Sequence, residues 1–181
     1  MTGSSANTFN VDDYATIKYD AMGMEQWVAR YDGSGGGDEA FGLAVDHAGN
    51  VYVTGESGAV DYVTVKYDAV GTQLWTTSYT GREDSRDEPV AIGVDGAGNV
   101  YVTGRSFATR STADIVTVKY DAVGIEQWQQ SYDSPGNSNE GAIDLGVDAD
   151  GNVYVLGWSQ DPDTGEREYS PVSGSWLQPS T

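Results

Sequence analysis

The stretch VDHAGNVYVTGES, residues 45–57, decides the fold because close copies of it return twice further along the chain. VDGAGNVYVTGRS occupies residues 94–106, and VDADGNVYVLGWS occupies residues 147–159. Recurrence at a period of about 50 residues is typical of repeat architectures, in which each repeat builds one supersecondary unit. The sequence therefore predicts a fold made of similar units arranged in series.

A second motif, KYDA, recurs with the same period, and each copy is followed at a constant offset by a tryptophan. The lysines are Lys18, Lys66 and Lys119, and the tryptophans are Trp27, Trp75 and Trp128. One full repeat divides into four short strands, at residues 40–46, 50–55, 61–68 and 72–79. Phe41, Leu43 and Val45 alternate with small residues and are predicted to share one strand face. Gly49 can supply the left-handed conformation that the first hairpin turn needs.

Four antiparallel strands in a repeat of this length indicate the blades of a β-propeller. The predicted fold class is all-β, a partial propeller with about three four-stranded blades per chain. The repeats extend over residues 1–160, as a half-blade (12–31), two complete blades (40–79 and 89–132) and a second half-blade (142–158). Residues 161–181 are predicted to form a degenerate tail, because Pro171 falls in what would be the next third strand and removes a hydrogen-bond donor.

Residues 13–57, DYATIKYDAMGMEQWVARYDGSGGGDEAFGLAVDHAGNVYVTGES, resemble the bacterial SBBP β-propeller repeat. The likeness extends over roughly residues 12–160. This family is found mostly in large secreted or surface-attached proteins, so the resemblance implies a propeller fold and an extracellular or cell-surface location. It implies no catalytic residues.

The segment TGSS, at residues 2–5, matches the end of the second strand in the two complete repeats, so the chain is predicted to begin inside a repeat. Half-blades at the two ends would leave bare strand edges, which pair readily with another chain. We expect two copies to complete each other's half-blades and close a six-bladed, strand-exchanged homodimer. A piece of a longer propeller and an open filament are the alternatives.

The composition excludes several classes of protein. With 28 acidic and 9 basic residues the chain carries a formal charge of −19, which repels nucleic acid. It has no cysteine, and therefore no disulfide or zinc–thiolate site. We find no apolar run long enough to span a membrane and no signal-peptide pattern in the sequence.

Acidic residues cluster in the variable loops that lead into the first strand of each repeat. They are Asp38, Glu39, Asp87, Glu88 and Glu140. We expect them to ring the mouth of the propeller channel, where carboxylates can bind a divalent cation or a sugar. The simpler interpretation is that these charges only solvate the loops.

Three repeated features have simpler explanations than ligand binding. The turn aspartates Asp46, Asp95 and Asp148 are predicted to cap their own turns, since the loop DADGNVYVLGWS lacks the further ligands of a calcium loop. The repeated lysines are expected to form cross-strand ion pairs with Glu25 and Glu126. The repeated tryptophans are expected to pack between neighbouring blades, whereas Trp158 and Trp176 are candidates for a contact surface.

The sequence favours a non-enzymatic structural or interaction module whose main partner is a second copy of itself. A glycan- or calcium-binding module, or one that binds a surface protein, is the alternative, and a carboxylate-based hydrolase is the third hypothesis. His47 is the single histidine, and no Ser-His-Asp set recurs around it. No catalytic or metal-ligating residue is therefore selected, and calcium is the one cofactor considered.

Overall fold

The computed structural model describes residues 2–6, 12–33, 36–58, 61–81, 86–107, 112–134 and 138–172. Within these ranges the chain forms fourteen β-strands and no helix, which confirms the predicted all-β class. The strands make four antiparallel sheets, named here I to IV, in which each strand pairs with the next one along the chain.

The four sheets follow one another in sequence. Sheet I contains β1 (Thr2–Ala6), β2 (Asp12–Tyr19) and β3 (Glu25–Tyr31). Sheet II contains β4 (Asp38–Val45), β5 (Val51–Ser57), β6 (Asp61–Tyr67) and β7 (Gln73–Tyr79). Sheet III contains β8 (Asp87–Val94), β9 (Val100–Phe107), β10 (Ala113–Tyr120) and β11 (Glu126–Tyr132). Sheet IV contains β12 (Glu140–Val147), β13 (Val153–Gln160) and β14 (Arg167–Val172).

Valine, tyrosine and threonine dominate the second and third strands of sheets II and III, and these residue types suit a pleated surface buried on both faces. Glycine ends each tight hairpin in the left-handed conformation, as predicted for Gly49, whose φ is 83°. Residues other than glycine rarely adopt this backbone conformation, so the repeated glycines fix where each strand reverses.

The hydrophobic core lies between the sheets, as three separate slabs. The slab between sheets I and II includes Tyr14, Val53 and Tyr67. The slab between sheets II and III includes Tyr52, Val102 and Tyr120. The slab between sheets III and IV includes Tyr101, Ile115 and Val155. Each sheet therefore stacks on the next face to face, as propeller blades do.

The first strands of neighbouring sheets pack a large side chain against a small residue. A Cβ atom added at Gly42 would lie 3.1 Å from Cγ2 of Ile92 in the next sheet. One added at Gly93 would lie 2.7 Å from Cδ1 of Leu145 and 3.0 Å from Cγ2 of Val147. These distances are shorter than ordinary contacts, so the small residues let the inner strands approach closely.

The two terminal sheets have three strands each, one more than the predicted half-blades. Strand β1 pairs Thr2 with Thr16, as Thr54 pairs with Thr64 in sheet II, so TGSS does lie where a second strand ends. At the other end, the prediction that Pro171 prevents a third strand was wrong. Strand β14 forms there, with Pro171 opposite Leu156. It is the edge strand of its sheet, where proline is tolerated because alternate N–H groups need no partner.

Candidate functional site

Asp38, Asp87 and Glu140 are structurally equivalent, since each opens the first strand of its sheet, and all three are fully buried. Asp38 Oδ2 accepts a hydrogen bond from the Gly33 amide at 2.7 Å. Asp87 Oδ2 accepts one from the Gly81 amide at 2.6 Å. One oxygen of each carboxylate therefore fastens the loop that enters its sheet.

Glu140 holds its loop through hydroxyl groups. Its Oε1 accepts hydrogen bonds from Ser138, at 3.0 Å, and from Ser134. Burial raises the pKa of Glu140 above its ordinary value, the two hydroxyls lower it, and the negative charges of Asp133 and Asp114 raise it again. The net direction is upward, so the environment around this side chain disfavours the carboxylate form.

The other two predicted ligand residues, Glu39 and Glu88, occupy the next position along the strand, so Glu140 is not their equivalent. Glu39 is exposed. Glu88 forms ion pairs with Arg86 at 3.0 Å and with Arg105 at 3.5 Å. Arg86 also pairs with the buried Glu56 at 3.2 Å. The five predicted residues therefore divide into a buried set and a surface set.

The structure brings two of the buried residues into groups of three carboxylates, which we call the acidic triads. The first triad is Asp13, Asp32 and Asp38, and the second is Asp114, Asp133 and Glu140. In each triad one oxygen atom per residue lies within 4.8 Å of the corresponding atoms of the others. Sequence reasoning missed four of these six residues, because they come from strand and loop segments that only the fold brings together.

The repeated aspartates cap their own turns, as predicted. Asp46 Oδ1 accepts hydrogen bonds from the backbone amides of Ala48 and Asn50, both at 2.9 Å. Its Oδ2 accepts from the Asn50 side chain at 2.7 Å and from the Tyr52 hydroxyl at 3.0 Å. Asp95 and Asp148 repeat this pattern.

The repeated lysines and tryptophans join neighbouring sheets. Lys18 Nζ and Trp27 Nε1 both donate to the Ala69 carbonyl of the next sheet, at 2.9 and 3.1 Å. Lys66 and Trp75 donate in the same way to Ala122, at 3.1 and 3.2 Å. The predicted packing of tryptophans between blades is confirmed.

The predicted ion pairs of these lysines with Glu25 and Glu126 were wrong. Lys18 and Lys66 donate to carbonyl oxygens of the following sheet, and the Lys119 ammonium lies 5.0 Å from the centre of the Tyr101 ring. For Lys18 and Lys66 the reason is that a turn of the neighbouring blade presents a carbonyl oxygen within hydrogen-bond distance of the ammonium.

No sheet formed by the described residues covers the outer face of sheet IV. Gly146 stands where Gly93 stands in sheet III, yet among the described residues nothing lies within 4 Å of a Cβ atom added there. Tyr154 is 51% exposed, whereas the equivalent Tyr101 is fully buried under the next sheet. Gly146, Tyr154 and Leu156 line a groove of about 270 Å³.

The first strand of sheet II is uncovered on the side that faces sheet I. Phe41, Leu43 and Val45 do share one face, as predicted, but they are 42%, 37% and 53% exposed. We call this the β4 row. The strands of sheet I correspond to the second, third and fourth strands of a blade, so its first-strand position, beside the β4 row, is not filled by the described residues.

Two further surface features bear on ligand binding. A cleft of about 340 Å³ is lined mainly by polar residues, including Thr80, Ser106, Gln129 and Gln130. Trp158 lies between two guanidinium groups, with Arg167 at 4.0 Å and Arg105 at 5.5 Å from its ring. Trp176 lies outside the described residues.

Comparison with known proteins supports the repeat assignment. Residues 26–62 and 75–107 match the SBBP family, described as a β-propeller repeat. No curated protein matches the chain. The described residues contain no helix that is long and apolar enough to cross a lipid bilayer. The stacked four-stranded sheets and their recurring turns agree with these matches, so residues 26–62 and 75–107 carry SBBP-type β-propeller repeats.

Proposed function

We propose that this protein is a non-enzymatic interaction module, extracellular or on the cell surface, that assembles with a second copy of itself into a closed propeller. The repeat family is generally non-catalytic and suggests a structural role. The observation that carries the proposal is the match between two uncovered surfaces, the β4 row and the groove at Gly146.

The contact between sheets III and IV supports a fit between these two surfaces. There Leu145 and Val147 lie over Gly93. Leu43 and Val45 occupy the same strand positions as Leu145 and Val147. Strand β12 of a second copy, placed beside β4, would bring its Gly146 under Leu43 and repeat a contact that the chain already makes.

Strand β13 of the second copy would then pair with β2. In sheet II, Val51 pairs with Tyr67 and Thr54 with Thr64. The equivalent register places Val153 opposite Tyr19 and Leu156 opposite Thr16. Strand β1 pairs with β2 only up to Thr16. In the exchange, Ile17, Lys18 and Tyr19 would also gain a paired strand, as the equivalent residues of β6 have in β5.

The exchange removes two weak edge strands. Strand β1 consists of threonine, glycine, serine and alanine, and β14 contains Pro171. Strand β13 offers valine, tyrosine and leucine, which favour sheets more strongly. Two complete sheets from each copy and two shared sheets make six blades, within the usual range of four to eight.

A closed ring is favoured over a filament because it forms the contact twice in one association step. Burying a half-exposed valine or leucine contributes about 1 kcal/mol. Association costs roughly 4–15 kcal/mol, so a single contact through the β4 row is marginal. Two contacts, each with strand pairing, offset that cost, whereas a filament adds one contact for each subunit.

Light scattering after size exclusion tests the proposal with three variants and the natural sequence. The natural sequence should give a species of twice the 19.3 kDa chain mass. Leu43→Asp and Gly146→Val should give folded monomers, because one places a charge in the contact and the other fills the groove. Val70→Asp, on a turn that is 73% exposed, should remain dimeric. A folded natural monomer, or a dimer that survives Leu43→Asp, would overturn the proposal.

The alternative function, binding of a glycan, would use the polar cleft near Thr80. Its glutamine and serine side chains are of the type that hydrogen-bonds to sugars. A glycan array on the natural protein tests it. Binding that Gln130→Ala abolishes, in a protein that light scattering shows to be monomeric, would favour this function over self-assembly.

A further inference from the structure

Each acidic triad connects two neighbouring sheets. In the first triad, Asp13 and the exposed Asp32 come from sheet I and its exit loop, and Asp38 opens sheet II. In the second triad, Asp114 and Asp133 belong to sheet III and its exit loop, and Glu140 opens sheet IV. The triads therefore stand at equivalent places, at the I–II and III–IV junctions.

One carboxylate oxygen in each triad is buried without a hydrogen bond from the described residues. These atoms are Asp38 Oδ1 and Glu140 Oε2, and both side chains are fully buried. The other oxygen of each is satisfied, by Gly33 in one case and by two serine hydroxyls in the other. Burying a carboxyl oxygen without a hydrogen bond is costly, and each of these two side chains belongs to a group with two further carboxylates.

The spacing and the type of the ligand atoms bear on the choice of cation. Calcium binds oxygen at about 2.4 Å, so two ligands on opposite sides of the ion lie up to about 4.8 Å apart. The triad oxygens lie within 4.8 Å of one another, so their spacing is compatible with shared ligation of one calcium ion. Magnesium binds oxygen at about 2.1 Å and demands a tighter, regular octahedron. Zinc prefers nitrogen and sulfur ligands, and neither triad contains histidine or cysteine.

The II–III junction provides an internal comparison. Thr80 follows Tyr79 there, as Asp32 follows Tyr31 and Asp133 follows Tyr132. Thr80 therefore stands where the other two junctions place an exit-loop aspartate. At this junction Arg86 forms an ion pair with Glu56 of sheet II.

We propose that the two acidic triads are calcium sites, so that each chain binds two Ca²⁺ ions, at the I–II and III–IV junctions. Each ion neutralises three carboxylates and takes the unpartnered oxygen of Asp38 or Glu140 as a ligand. Since the ligands come from two sheets, bound calcium links the sheets and opposes their separation. Both sites lie within one chain, so this inference holds for a monomer as well as for the proposed dimer.

Isothermal titration calorimetry and thermal melting with CaCl₂ test this inference. The CaCl₂ concentration is raised to about 10 mM, which exceeds the highest dissociation constants of calcium-binding modules, about 10⁻³ M. Salt is kept at about 0.15 M, where the Debye length of about 8 Å screens diffuse attraction to the acidic surface. We expect two ions per chain and a rise in melting temperature that equal MgCl₂ does not reproduce. No heat of binding and no shift in melting temperature would overturn the proposal.

The variants copy the natural II–III junction. Asp32→Thr should reduce the stoichiometry from two to one, Asp133→Thr should do the same, and the double variant should bind none. Both positions are exposed, so folding should survive, as circular dichroism can confirm. Asp163→Thr removes the same charge at an exposed turn outside both triads and should still bind two ions. A double variant that still binds two ions would overturn the assignment to the triads.

Discussion

Leu145 packs so closely on Gly93 that a Cβ atom added to the glycine would lie 2.7 Å from the Cδ1 atom of Leu145. Gly146, the equivalent of Gly93 in the next sheet, has no described atom within 4 Å of the same position. Two residues with the same place in the repeat thus differ only in whether another sheet covers them. This difference makes the interface between sheets testable with matched substitutions.

Valine should destabilise the protein at Gly93 but not at Gly146. Overpacking of a filled site costs about 1–3 kcal/mol, whereas Gly146 faces open space in the single chain. Both changes are best made in the Leu43→Asp background, which we expect to be monomeric, and compared by urea unfolding. Equal losses of unfolding free energy at the two positions would contradict the packing described for sheets III and IV.

The hydrogen bond from each repeated tryptophan to the next sheet should contribute measurably to stability. Trp75→Phe keeps a ring beside Tyr52 but removes the donor to the Ala122 carbonyl. We expect a loss of about 0.5–1.5 kcal/mol in unfolding free energy, the usual net value of one hydrogen bond. Trp27→Phe removes the same bond, to Ala69, and should cost a similar amount. Unchanged denaturation midpoints in both variants would count against this role.

Asp95 should stabilise its turn in a pH-dependent way. Burial raises the pKa of Asp95, but hydrogen bonds from Asn99, Tyr101 and Ala97 outweigh burial and hold the pKa below its ordinary value of 3.8. The unfolded chain therefore binds the proton more readily. The stabilisation is present above about pH 4 and is lost as the pH falls through the folded-state pKa.

The measurement compares the natural protein with Asp95→Ala by urea unfolding across this range. The difference in unfolding free energy should be about 1–2 kcal/mol near pH 6 and should shrink as the pH falls below about 4, through the folded-state pKa of Asp95. A difference that stays constant over this range would show that the carboxylate charge does not hold the turn.

Much of the fold was predictable because the repeat presents the same evidence several times. Alternation around Leu43, the glycine turns and the spacing of Trp75 from Lys66 defined the four strands of a blade without reference to tertiary contacts. Pro171 was misjudged because a sequence does not show whether a strand lies at a sheet edge, where a missing donor costs little.

The candidate sites were less predictable, because they depend on contacts between blades. Asp13 and Asp32 are separated in sequence from Asp38, and their approach follows from sheet stacking alone. Glu140 was grouped with Glu39 and Glu88 by its neighbours in sequence, although the strand register makes it the equivalent of Asp38. Lys18 was given Glu25 of its own hairpin as a partner, whereas its acceptor belongs to the next sheet.

Disulfide trapping tests the proposed assembly most directly, because the chain has no cysteine of its own. A chain carrying Leu43→Cys and Gly146→Cys is oxidised mildly and run on a denaturing gel without reductant. Gly93→Cys with Leu145→Cys is the control, since these positions make the equivalent contact inside one chain. Self-assembly predicts a band at twice the 19.3 kDa chain mass for the first protein, lost on reduction, and an internal disulfide in the second. A first protein that keeps free thiols while the control closes its disulfide would contradict the proposed dimer.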